Sequence, residues 1–357
     1  KAIGTNWGSD DGVYGGLSYD GTVNESYLNL TGGEISGDAV GGRSNNKDVA
    51  NNYVKINGNA KIGGRLIGGE SRGGTVTNSY LDLTGGEISG NAIGSLGSTG
   101  SDGGKITSKG ATKFGSDVIG GKSPDGLVTK SIVNLTNATV TGNVIGGEAV
   151  NGDVTGAKVE IANGVTLSHD IIGGRSERGK AEGNWVVADL TGKSVFQVIG
   201  GTNKIGSGSG TANNNHVQIT GGTLNGPALG GRGEQGVSRN EFFATGTTIN
   251  NHISGGTTSS GNAVGNVLSL VNSTVNGNNS QVKGGNAMAG SASNNTVILQ
   301  GSTINGVVYG AQATAAGSNN NTVNLTNSTV TGTIYGLFGS GSGSGNTLIN
   351  ASNTRNP

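Results

Sequence analysis

The sequence predicts an all-β protein, a single right-handed three-stranded parallel β-helix of about 12 coils with about 26 residues in each. Three observations carry that expectation. One phrase recurs from end to end: SYLDLTGGEISGNAIG at 79–94, SIVNLTNATVTGNVIGG at 131–147, NHVQITGGTLNGPALGG at 215–231 and NTVNLTNSTVTGTIYG at 321–336. The Gly that closes each unit stands at 15, 41, 68, 94, 120, 146, 173, 200, 230, 255, 284, 310 and 336, so most steps are 26 or 27 residues. The apolar residues, 31% of the chain, fall at fixed places in that repeat and follow no helical period. Residues one repeat apart also form chemically matched columns, as stacked coils require.

Each unit contributes three strands. The first alternates, with an inward pair such as Leu28/Leu30, Val54/Ile56, Leu81/Leu83, Val133/Leu135, Val159/Ile161, Val217/Ile219, Leu268/Leu270, Val297/Leu299 and Val323/Leu325. Period-two patterning with β-branched residues is a strand signal. The second strand supplies one apolar residue per unit, from Ile35, Ile62, Ile88 and Phe114 through to Ile304 and Val330. The third supplies a pair, such as Val118-Ile119, Val144-Ile145 or Val198-Ile199, followed by the closing glycine. The abundance of Gly, 73 of 357 residues, is expected from corners that need tight or positive-φ backbone.

The columns give the stacking its chemistry. Just before the second strand the residues run Glu34, Lys61, Glu87, Lys113, then Thr139 and Thr166, so charges alternate before a hydroxyl ladder begins. After the closing Gly pair come Arg43, Glu70, Leu96, Lys122, Glu148 and Arg175, with no like charges adjacent. Opposite charges or paired Thr favour cross-strand neighbours, whereas like charges oppose them. The residue opening the first strand becomes Asn184, Asn215, Asn240, Asn266, Asn295, Asn321 and Asn346, an amide ladder suited to satisfying turn backbone.

Loops are placed by departures from the period, at GSGSGTANN near 206–214, NGNNSQ at 276–281 and GSGSGSG at 339–345. No composition shift marks a second domain, so residues 1–357 are expected to be one β-helix. The opening at Lys1 and the stop at Pro357, partway into a further unit, read as cuts through a longer protein. Equal numbers of basic and acidic residues, 22 of each and no block of either, remove the electrostatic case for nucleic acid or an anionic membrane. There is no apolar run of transmembrane length and no signal-peptide pattern at the start, so direct membrane insertion is not expected. Absence of Cys excludes disulfides and suits a chain that crosses an oxidising compartment unfolded.

The phrases TGGEISGDAVGG at 31–42, TGGEISGNAIG at 84–94 and NNTVNLTNSTVTGTIYG at 320–336 resemble passenger domains of Gram-negative autotransporters, the type V secreted surface proteins. The likeness is one of repeat style and covers essentially the whole chain. It implies a β-helix exported through the outer membrane by a C-terminal barrel, an extracellular or cell-surface location, and adhesin or cell–cell aggregation activity. Signal peptide and barrel are absent, as expected of an excised passenger fragment. The partners implied are a host-cell or bacterial surface protein or glycan, or a second copy of the chain.

Catalytic, cofactor and metal sites are not expected. His169, His216 and His252 occupy different places in the repeat, so no Ser-His-Asp grouping follows from spacing. Calcium-type G-G-x-G-x-D nonapeptides do not occur, and SDDG at 9–12 and SPDG at 123–126 read as turns. A polysaccharide-cleaving enzyme needs a carboxylate pair. Glu34 and Glu87 are two coils apart, but Lys61 and Lys113 neutralise them, the opposite of what raises a general acid. Binding fits better: Tyr27, Tyr53 and Tyr80, then Lys105, Ile132, Lys158, Trp185 and His216, should face outward from the first strand. Glu241, Phe242-Phe243 and Ile298 are placed on the same face, which makes it unusually apolar. Stacked Tyr also has a plainer use, strengthening coil pairing. The candidate binding residues are therefore Tyr27, Tyr53, Tyr80 and Trp185 of an adhesin or aggregation module; the alternatives are a passive stalk or, less favoured, the enzyme.

Overall fold

The computed structural model describes residues 12–203, 209–340 and 342–351. Ser9, Asp10 and Asp11 of the SDDG turn, and part of the 206–214 insertion, lie outside the described residues. No helix occurs among the described residues, and none is therefore long and apolar enough to cross a membrane. Every strand pairing described is parallel, and coils of about 26 residues stack into a β-solenoid of about 13 turns. The chain forms two compact units, Lys1–His169 with Gly173–Ser176, and Asp170–Ile172 with Glu177–Pro357.

In the first unit, first strands such as Tyr27–Leu30, Tyr53–Ile56 and Tyr80–Leu83 lie in register, Leu28 on Val54 on Leu81. The second strands pair Ile62 with Ile88 and Ile88 with Phe114, all buried. Third strands such as Val118–Ser123 and Val144–Ala149 pair Val118 with Val144 and Ile119 with Ile145. The second unit repeats the scheme. Its second strands join the third-strand sheet, and in Thr274–Ala287 and Thr303–Ala313 the two become one continuous strand.

A fourth, two- or three-residue strand adds to the three expected. It lies between the third strand and the next first strand, as at Val49–Ala50, Thr75–Thr77, Leu127–Thr129 and Gly236–Ser238. Each places one small residue inward: Val49, Val76 and Val128 in the first unit, and Ala181, Ala212, Val237, Ala263 and Ala292 in the second. A single apolar residue in a polar stretch is too weak a periodic signal to read as a strand. The residue after this strand takes the left-handed conformation, φ 57° at Asn51, 48° at Asn78 and 54° at Asn214, and even at Lys130 (51°) and Arg239 (52°). This corner fits the expectation for positive φ, with Asn tolerated there as well as Gly.

The closing glycines answer to a different constraint. None of them has a left-handed φ. Their α-carbons approach the neighbouring backbone instead. A Cβ at Gly41 would lie 2.3 Å from the Gly68 carbonyl oxygen and 2.7 Å from that of Tyr53, and one at Gly120 would lie 2.4 Å from the Gly146 oxygen. The same contact recurs from Gly200 to Gly230 and from Gly284 to Gly310, at 2.4 Å each. The ladder register skips this residue, Val40 pairing with Ile67 and Gly42 with Gly69. The register is unchanged across that gap, and the side chains before and after the glycine pair meet on one face, as Tyr14 does with Arg43 and Tyr309 with Phe338.

Buried polar ladders hold the corners of the second unit. The Asn240 side-chain oxygen accepts from the Asn215 backbone N–H at 3.0 Å and from its Nδ2 at 2.9 Å, while Asn240 Nδ2 donates to the Ala212 carbonyl at 2.8 Å. Asn266, Asn295, Asn321 and Asn346 continue the pattern, as the sequence predicts. A second ladder escaped the sequence reading: Thr247, Ser273, Ser302 and Ser328 lie buried at the turn before the second strand, each backbone N–H donating to the next hydroxyl at 3.1–3.2 Å. Its signal was the paired hydroxyls Thr247-Thr248, Ser273-Thr274, Ser302-Thr303 and Ser328-Thr329.

Two expected outcomes test this account. Gly120→Ala should lower the denaturant midpoint by an amount equivalent to about 2 kcal/mol or more, since the clash is with backbone that cannot rotate away. Gly32→Ala, whose Cβ would meet nothing within 4 Å, should leave the midpoint unchanged. Asn266→Leu removes the acceptor of two Asn240 donors and should cost about 1–3 kcal/mol for each buried group left alone, read by the same unfolding curves.

Candidate functional site

The outward first-strand face carries the residues expected to bind. In the first unit Tyr27, Tyr53 and Tyr80 are in register, with ring centroids 5.4 and 5.0 Å apart and planes within about 11° of parallel. Alternation alone aims them outward, since Leu28, Val54 and Leu81 take the inward places between them. Tyr27 is 56% exposed. Burial first, then Tyr53 and Asp82, raises the pKa of the Tyr80 phenol. In the second unit Trp185 lies over His216, centroids 4.3 Å apart, and His216 lies 5.3 Å from Phe243. The His216 Nδ1 is 2.8 Å from Glu241 Oε2, so the imidazole bridges an exposed indole and a carboxylate one coil on. The three Tyr form one strip within the first unit, and Trp185 belongs to another within the second.

Phe242 is not on that face. It is fully buried and pairs with Val217 and Leu268 in the inward column. Period two requires it: Glu241 and Phe243 point out, Phe242 and Ala244 in. Of that pair the outer face keeps only Phe243, with Ile298 two coils on as expected, and it is less apolar than the sequence reading expected.

The outer face of the third strand bears two polar clusters, one in each unit. In the first unit Arg43 pairs with Glu70 in register and lies 3.5 Å from its carboxylate, with both side chains almost wholly buried. Arg43 also donates to the Tyr14 hydroxyl at 2.7 Å and stands over that ring. Asp38 takes a two-pronged bond from Arg65 at 3.0 and 2.7 Å. Further along the column Glu148 meets Lys122 at 3.2 Å and Arg175 at 2.9 Å. The alternation of sign read from sequence thus closes into ion pairs along this column. Glu34, Lys61, Glu87 and Lys113 also stand in register, and a shallow cavity of about 310 Å³ lies beside Asn59, Lys61, Glu87 and Lys113.

The corresponding surface of the second unit is built differently. The column before the closing glycine, aliphatic at Ile199 and Leu229, becomes Ser254, Lys283, Tyr309 and Tyr335. The column after it reads Arg232, Thr257, Asn286, Gln312 and Phe338. Tyr309 stacks on Tyr335 at 5.6 Å and 12°, and Phe338 sits 5.0 Å from both rings. The Lys283 ammonium lies 5.9 Å from the Tyr309 centroid, and the residue is only 8% exposed. Burial pulls its pKa down to about 8. The His252 imidazole is also pushed down, by burial first and then by Lys283 and Arg232. Sequence reasoning passed over this surface. Its signal is a composition shift: Lys283 is the sole Lys or Arg between Arg239 and Arg355, and no Asp or Glu follows Glu241.

Among the described residues no group of three or more His, Cys, Asp or Glu side chains could hold a metal ion. No protein-family model matches the chain, and no curated protein matches it in sequence.

Lys283 has a pH signature. Its pKa is about 8 folded against an ordinary 10.5, so the unfolded chain binds more protons between those values and stability rises with pH across that window. Below about pH 8 the buried ammonium opposes folding in full. Lys283→Met should therefore be more stable than the parent at pH 7, with the gap narrowing towards pH 10, as followed by thermal melts at a series of pH values.

Proposed function

We propose that the chain is a cell-surface adhesin or cell–cell aggregation module of an exported bacterial protein, of the autotransporter passenger kind, working without catalysis by displaying repetitive β-helix faces. The observation that carries this reading is the exposed aromatic strip of the first-strand face, Tyr27, Tyr53 and Tyr80 at near-parallel stacking distance, with Trp185 on the corresponding face of the other unit. Rings held rigidly by paired strands present apolar area at little entropic cost, which is what aromatic contact residues supply at interfaces. Their partners on this reading are a host-cell or bacterial surface protein or glycan, or a second copy of the chain. The repeat style and the cysteine-free composition support export to the cell surface.

The test is binding of the purified chain to host cells, to a glycan array and to itself. The Tyr27→Ala, Tyr53→Ala, Tyr80→Ala variant, with its fold verified by circular dichroism, should lose about tenfold or more of that affinity. Equal binding by parent and variant would remove the strip from the account. No binding by either would favour a stalk that carries a distal domain.

A further inference from the structure

We infer that the outer face of the third strand in the second unit is a binding site for an acidic saccharide, whose anionic group is held by Arg232, His252 and Lys283 and whose ring lies against Tyr335 and Phe338. The inference is independent of the first-strand aromatic strips.

The first support is an uncompensated charge. Lys283 is nearly buried, yet among the described residues its ammonium makes no hydrogen bond and no ion pair, and it lies over the Tyr309 ring. A buried ammonium without a partner is costly, and such groups are ordinarily paired. Here the chain has no counter-ion to offer, because no Asp or Glu occurs from Phe242 to Pro357. Of the carboxylates just before that stretch, Glu241 is engaged by His216 and Glu234 also has its own partners. Arg232 adds a second cation in the same place rather than relief, and with Lys283 it holds the His252 imidazole towards its neutral form, a hydrogen-bonding group and not a counter-ion. The first unit shows the contrast: at the corresponding surface Arg43 meets Glu70, and Lys122 and Arg175 meet Glu148.

The second support is what lines the rest of the face. Thr257, Asn286 and Gln312 stand in register beside the cations, a row of hydroxyl and amide groups one coil apart. Gln312 Oε1 is a buried acceptor that makes no hydrogen bond within the chain. Beyond them Tyr335 and the 40%-exposed Phe338 offer ring faces. Cation, amide row and aromatic plane together match a sugar bearing a carboxylate or sulfate. An acidic peptide would use the cations and leave the other two unexplained.

The experiment is calorimetric titration of the full chain at low salt with three probes: a galacturonate hexamer, a heparin hexasaccharide and neutral maltohexaose. One or both acidic probes should bind and maltohexaose should not, the two acids telling carboxylate from sulfate. Lys283→Gln and Arg232→Gln should each weaken binding by about tenfold or more, as expected for a lost charge-assisted contact. Lys283→Gln removes a buried charge and should keep its fold, and the more exposed Arg232→Gln gives an independent reading. The triple Tyr27, Tyr53, Tyr80 alanine variant should bind the acidic probe like the parent. Four results would each overturn the inference: no binding of either acidic probe at millimolar concentration, undiminished binding by both Gln variants, equal binding of maltohexaose, or a poly-glutamate peptide binding as well as the saccharides.

Discussion

Backbone meets backbone at the closing glycine in coil after coil, from Gly15 to Gly146 and from Gly200 to Gly310, and the rest of the fold depends on that contact. At Gly41, Gly68, Gly94, Gly120 and Gly146 the space for a Cβ is already taken by the carbonyl oxygen of the next coil. Only hydrogen fits, so the position is glycine in coil after coil. The approach brings the third strand onto the backbone opening the first strand, as Gly41 shows against Tyr53. It leaves room inside for only one or two apolar side chains from each strand. That is why a chain with 31% apolar residues still has fully buried columns such as Val54–Leu81 and Ile62–Ile88–Phe114. Little apolar area is needed when the layers are this close.

A narrow interior also buries polar turn groups, and stacking satisfies them with copies of themselves. From Asn215 to Asn321 each Asn accepts from the Asn side chain and backbone one coil before it, then donates onward to the next. No member can change alone without stranding both neighbours, so the ladder specifies register as well as adding stability. The first unit meets the same corner with a mixture, Asn52 and Ser79 buried there, then Ser131 and Ala157. The two units thus solve one geometric problem with different chemistry.

Most of this was legible in the sequence because stacking converts spacing into contact. Ile88 and Phe114, or Lys122 and Glu148, are 26 residues apart and therefore neighbours, so columns could be written before any coordinate was known. The short strand was not legible, because one inward Val or Ala in a polar run looks like a loop. Tight or positive-φ corners were expected of the glycines together, and composition does not say which glycine is needed for φ and which for space. Phe242-Phe243 illustrates the remaining limit: two adjacent large residues cannot share a face in a strand, and period two assigns Phe242 to the core. Of the candidate site, the Tyr27, Tyr53, Tyr80 strip followed directly from register. The Lys283 surface did not, because it unites columns on either side of the closing glycines, which strict alternation would place on opposite faces.

Those two columns show why the second unit's outer face is open to a ligand in a way the first unit's is not. Where charges alternate along a column, each finds its opposite one coil away, and the surface neutralises itself, as Glu148 does between Lys122 and Arg175. Once carboxylates vanish from the sequence after Glu241, a cation placed in a column has only neutral neighbours above and below. Lys283 sits between Ser254 and Tyr309 in just that situation. Aliphatic residues at the same position, as at Ile199 and Leu229, would pack without penalty. A lysine there opposes folding at neutral pH, so its presence is accounted for by something outside the chain that carries the missing charge.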